Sequence, residues 1–120
     1  MDITPIISDN KKIIDGYKEG CFIINNEEYK GSVIVFPERV VLFPELDINN
    51  MDHLLRFLNV ETEVILVGTG ARHISPHLSV IDHIRKQSLS FEFMSTGAAC
   101  RTYNVLLSEG RYVIAILMAI

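Results

Sequence analysis

Three residues able to do chemistry stand close together in STGAACRTYNVLLSEGR, residues 95–111: Cys100, Arg101 and Asn104. A cysteine near a helix start can have its pKa lowered toward a reactive thiolate. Arginine offers a planar fork to carboxylate or phosphate. Asparagine is a poor interior helix former, so its place here points to a job for the amide. Ser95 or Thr96 can cap a helix running from Gly97 to Glu109, with Gly110 just past its end. On that helix Ala99, Tyr103, Leu106 and Leu107 make an inward stripe with Cys100 at its margin. Arg101, Asn104 and Ser108 share a second, polar face. A first-turn arginine opposes the helix dipole unless an anion offsets it. That anion is a ligand, a partner's carboxylate, or an internal carboxylate such as Glu92 or Asp47. For Cys100, a core thiol is the plainer reading.

The remaining candidates thin out on spacing. VGTGARH places Gly68 and Gly70 after a strand, but His73 stands where a dinucleotide fingerprint needs its third glycine, and Pro76 delays the helix. The plainer reading is a turn that needs two glycines. His73 and His77 are separated by Pro76, so no helical turn aims both at one metal. His53 and His83 fall on polar helix faces, no nucleophile elbow is present, and Ser108 lies late in its helix. Asp82 and Glu92 read as surface carboxylates. No catalytic, cofactor-binding or metal residues are therefore assigned, and no cofactor is expected. One candidate ligand or partner surface remains: Gly68, Thr69, Gly70, Thr96, Arg101 and Asn104. It joins the glycine turn to a helix start beyond the carboxyl end of strand 89–94, where open parallel sheets place their crevices and helix N–H groups favour anions.

Elements to position these residues are legible along the chain. Up to about Pro44, runs such as GCFIINNEEYKGSVIVFPERVV alternate with turn residues, which predicts an antiparallel meander of two or three strands. NNMDHLLRFL predicts a helix with Met51, Leu54, Leu55 and Leu58 on one face. EVILVG predicts a buried strand. SPHLSVIDHIRKQ predicts a helix capped by Ser75, with Pro76 in its first turn and Leu78, Ile81 and Ile84 as its stripe. LSFEFM alternates as a half-buried strand, and YVIAILMAI closes the chain as a buried one. The order β-α-β-α-β from residue 63 implies a parallel sheet with right-handed crossovers. The expected class is α/β: one domain over residues 1–120, an antiparallel meander beside a βαβαβ parallel sheet.

At 120 residues the chain can bury a sizeable core without disulfides. Its net charge of -4, with no Lys/Arg cluster, excludes a nucleic-acid footprint. The nine-residue apolar run at the end is well short of the roughly 20 residues of a membrane helix, so no integral membrane segment is expected. Cys21 and Cys100 have no C-x-x-C partner and read as free thiols.

Four segments then converge. GSVIVFPERV, VILVGTG, ISPHL and above all TGAACRTYNVLLSEGRYVIAIL resemble the small single-domain family that includes mitochondrial complex I assembly factor 3 and the adipogenesis-associated protein. The likeness runs from about Ile13 onward. It implies a three-layer α/β domain and an accessory role in building the membrane NADH dehydrogenase, with respiratory complex I subunits as partners. The targeting extension of the mitochondrial relatives has no counterpart in MDITPIISDN. The expectation is a bacterial cytoplasmic member, peripheral to the inner membrane through a partner. Resemblance and empty motif tests together favour a non-enzymatic assembly-type protein. The alternative is a small-molecule or anion binder, or an enzyme, using the crevice between the Gly68–Gly70 turn and the Thr96 helix start.

Overall fold

The computed structural model describes residues 11–50, 61–85 and 90–120. A small antiparallel sheet opens it: β1 (Ile14–Lys18), β2 (Cys21–Ile24) and β3 (Glu27–Lys30), in that order. The β2–β3 hairpin turns on Asn25 and Asn26, with φ of 49° and 66°. A two-residue type I′ turn needs that left-handed pair, and asparagine tolerates it best after glycine. The Asn25 side chain also ties the turn down, accepting the Ile13 N–H at 2.8 Å and donating to the Lys11 carbonyl at 3.0 Å.

Among the described residues five strands form the main sheet: β4 (Val33–Val35), β5 (Val40–Leu42), β6 (Val64–Gly68), β7 (Ser90–Met94) and β8 (Val113–Leu117). Their order is β5-β4-β8-β6-β7. The trio β8, β6 and β7 is parallel, as the helix–strand alternation implies. The N-terminal expectation needs correcting. The strand-rich region is not one meander beside a parallel sheet; it splits after Lys30, and β4 and β5 extend the main sheet antiparallel on the β8 side. The cause is apolar content. Val33, Ile34 and Val35 are all buried, and a strand apolar on every residue needs cover on both faces, which the main sheet has and the small sheet does not.

Two helices follow the parallel strands, α1 (Leu78–Arg85) and α2 (Thr96–Ser108). The expected start of α1 at Ser75–Pro76 is early. Pro76 is buried ahead of the helix, and the His77 carbonyl takes the Val80 and Ile81 N–H groups at 2.9 and 3.2 Å. Asn49 accepts the His77 N–H at 2.9 Å, so a residue distant in sequence helps set this boundary. Leu78 is 72% exposed and does not belong to the apolar stripe expected of it. The side chains of His83 and Ile84 lie outside the described set, as do Met51, His53, Leu54, Leu55 and Leu58 of the other expected helix.

The main sheet has apolar cover on both faces. Against one, α2 and the small sheet lie together: Ala99, Cys100, Tyr103 and Leu107 join Ile14, Phe22 and Ile24 over Val64, Leu66, Val113 and Ala115. Against the other, Phe36, Phe43, Leu46 and Ile48 cover Ile65, Val67, Ile114 and Ile116. Each large aliphatic side chain so buried contributes about 1.5–3 kcal/mol. Tyr103, fully buried, donates its hydroxyl to the Lys12 carbonyl at 2.8 Å, which anchors α2 to the segment before β1.

Candidate functional site

Four of the six candidate residues meet at the carboxyl end of β6. Gly68 is there because nothing larger fits: a Cβ would stand 2.9 Å from the Thr96 Cα and 3.0 Å from Leu117 Cδ2. Thr69, 2% exposed, donates its hydroxyl to the Arg72 carbonyl at 2.6 Å and accepts the Ile74 N–H at 2.9 Å. Gly70 takes φ +102°, a left-handed conformation suited to glycine. Its N–H donates to the Thr96 hydroxyl at 2.9 Å, and its carbonyl accepts the Thr96 N–H at 2.8 Å. The same Thr96 hydroxyl donates to the Met118 carbonyl at 2.8 Å. The glycine turn, the start of α2 and the end of β8 are thus one hydrogen-bonded latch. At the helix start, Ser95 caps by accepting the Ala98 N–H at 3.4 Å. Gly97 lies beneath Tyr17, whose hydroxyl a Cβ at that position would strike. These donors hold the fold together, and a ligand at the crevice would have to displace them.

The polar face of α2 divides. Asn104 faces β1 and matches its backbone: the amide oxygen accepts the Ile14 N–H at 3.0 Å and the amide nitrogen donates to the Ile14 carbonyl at 2.7 Å. It supplies the partner that an edge strand lacks. Ser108 donates to the Val105 carbonyl at 2.7 Å within its own helix. Arg101 alone of the six points into solvent, and it makes no ion pair among the described residues. Around it are two exposed side chains that spacing did not single out. Val105, one turn on, is 55% exposed, and Tyr17 of β1 is 42% exposed. Tyr17 could not have been found from α2 alone, since β1 brings it there. Cys100 belongs to the core, 4% exposed, and burial pushes its thiol up to about 11 against the weaker pull of Arg101.

Residues 14–118 match the model of a family described as a protein of unknown function (DUF498/DUF598). The chain belongs to this family. The DUF498 chain is 36% identical over 106 residues to the 13 kDa major membrane protein of Francisella tularensis, covering 85% of this chain and 86% of that one. It is 29% identical over 111 residues to NADH dehydrogenase [ubiquinone] 1 alpha subcomplex assembly factor 3 of Danio rerio. That match covers 88% of this chain and 63% of the factor, so the domain spans under two-thirds of that relative. Among solved structures, an outer membrane protein from Bartonella henselae superimposes with a TM-score of 0.80 at 30% identity, covering 92% of this chain and 96% of that one. A Mth938-like domain from Bordetella pertussis gives 0.76 at 23% identity over 99% of this chain and 92% of its own, which shows the fold.

A second concave feature of the DUF498 domain lies at the other end of α2. There Leu107, Arg111 and Tyr112 close on Lys11, Pro37, Glu61 and Glu63 around a cavity of about 270 Å³. Spacing gives no hint of it, because its walls come from four separate stretches of chain.

Proposed function

We propose that this DUF498 domain is a non-enzymatic accessory protein that binds a protein partner and assists assembly of a membrane NADH dehydrogenase. The likeness to assembly factor 3 across 88% of the chain carries this reading. The docking face is the outer side of α2: Arg101 and Val105, joined by Tyr17. Arginine and tyrosine are the residue types that dominate binding energy at interfaces. The latch beneath them fixes α2 before any partner arrives, which lowers the ordering cost of association. Asn104 and Thr96 serve that face by holding the helix in place. Among the described residues no helix is long and apolar enough to cross a membrane. In this reading the chain meets the inner membrane through its partner; the Francisella relative is named a major membrane protein and the Bartonella one an outer membrane protein.

Affinity purification of the tagged full-length chain from its native cells tests the reading. Subunits of the NADH dehydrogenase or of its assembly intermediates should be recovered with it. Repeated recovery of partners with no respiratory subunit among them would overturn it.

A further inference from the structure

The cavity at the C-terminal end of α2 plays no part in that reading. We propose that it is a binding site for a free α-amino acid with a branched aliphatic side chain. Its size sets the ligand class first. About 270 Å³ falls just under the roughly 300–1,000 Å³ typical of drug-sized ligands, which leaves room for a small metabolite. Its floor is apolar, from the buried Leu107 and Pro37 and the half-buried ring of Tyr112. That ring is fixed by a hydrogen bond from its hydroxyl to Glu38 at 2.6 Å.

The rim carries both signs of charge, Lys11 and Arg111 against Glu61 and Glu63. Such a rim suits a zwitterion, whereas a simple anion would meet two carboxylates and a simple cation two cations. The Lys11 ammonium makes no ion pair among the described residues, and in this proposal it takes the ligand carboxylate. Arg111 rests its Nε on Glu63 at 3.4 Å, which leaves its terminal nitrogens for the same carboxylate. Glu63 accepts the Tyr112 N–H at 2.9 Å. That bond, followed by Arg111, holds its carboxyl below the usual range, so it is ionised at neutral pH. A carboxylate has about four acceptor sites, so capacity remains for a ligand ammonium. The C-terminal end of the α2 dipole favours the same positive group.

The test is an NMR titration of the ¹⁵N-labelled full chain with three probes at neutral pH and matched ionic strength. They are L-leucine, 4-methylpentanoate (leucine without its ammonium) and 3-methylbutylamine (leucine without its carboxylate). Leucine should give saturable shifts at the Leu107, Gly110, Arg111 and Tyr112 amides, and each truncated probe should bind about fivefold more weakly or worse. Lys11→Gln and Arg111→Gln should each weaken leucine by a similar factor while the rest of the spectrum stays unchanged. Arg101→Ala, at the other end of α2, should leave leucine binding intact. Absence of saturable shifts at those amides would overturn the site. So would a truncated probe binding as well as leucine, or undiminished binding in both rim variants.

Discussion

At its N-terminal end α2 turns its polar groups inward: Thr96 joins Gly70 and Met118, and Ser95 caps the first turn. At its C-terminal end the charged groups of Lys11, Glu61 and Arg111 surround an open cavity. The first end carries the sequence motif and the second carries none. The difference teaches that a glycine–threonine signature after a strand can serve closure alone, because two backbones that approach within a missing Cβ leave no room for a guest. An open rim instead arises where long side chains from distant segments meet. Two separate roles for the ends of α2 can be tested apart.

The largest effect belongs to Gly68. With Thr96 backbone 2.9 Å from the new Cβ, Gly68→Ala forces β6 and α2 apart and should cost about 3 kcal/mol in urea unfolding. A loss well under that would mean the latch yields, and the contrast between a closed and an open end would weaken. Thr96→Val keeps the shape but strands the Gly70 N–H and the Met118 carbonyl, at about 2 kcal/mol. Next comes Asn104→Ala, which removes both bonds to Ile14; about 1–2 kcal/mol is expected, with faster hydrogen exchange at the Ile14 amide. At the open end, Arg111→Ala breaks only a half-exposed ion pair and should leave the melting temperature unchanged.

The smallest effect is chemical and separates the two thiols, Cys21 half-buried and Cys100 buried. Native protein should alkylate at Cys21 alone at mildly alkaline pH, and denatured protein at both. For Cys100 the folded value of about 11 exceeds the ordinary 9.0, so folding favours the neutral thiol. Its contribution to stability is full below pH 9.0 and is lost as pH climbs toward about 11. Rapid alkylation of Cys100 in the native state would place it outside the core.

Much of this architecture is legible in the residues. The limits of α2 follow from Ser95 and Gly110, the latter at φ +78°, and the alternation in β7 from Phe91 and Phe93 against Ser90 and Glu92. The parallel trio follows from the helix–strand order. What escapes is set by partners distant along the chain. The apolar run Val33–Val35 marks a strand covered on both faces but not that β8 is its neighbour, and α1 starts late because Asn49 reaches the His77 N–H. Within the candidate surface, spacing sets Arg101 and Asn104 three residues apart on α2, yet one turns to solvent and the other to β1. It cannot say that Ile14, 90 positions away, takes both polar ends of Asn104. Nor can it say that Thr69 and Thr96 would be fully engaged, since their partners include the Met118 carbonyl from another strand end.

In the proposed role, α2 is held by its start and used by its outer face. This role is tested by a paired measurement of melting temperature and recovery of the proposed NADH dehydrogenase partner on Thr96→Val and Arg101→Ala. Thr96→Val should melt earlier yet still recover the partner at temperatures where it is folded. Arg101→Ala should melt with the parent and recover the partner at least tenfold less, since an arginine that anchors an interface contributes about 2 kcal/mol or more. Full recovery by Arg101→Ala, with its melting temperature unchanged, would remove the outer face of α2 as the docking surface.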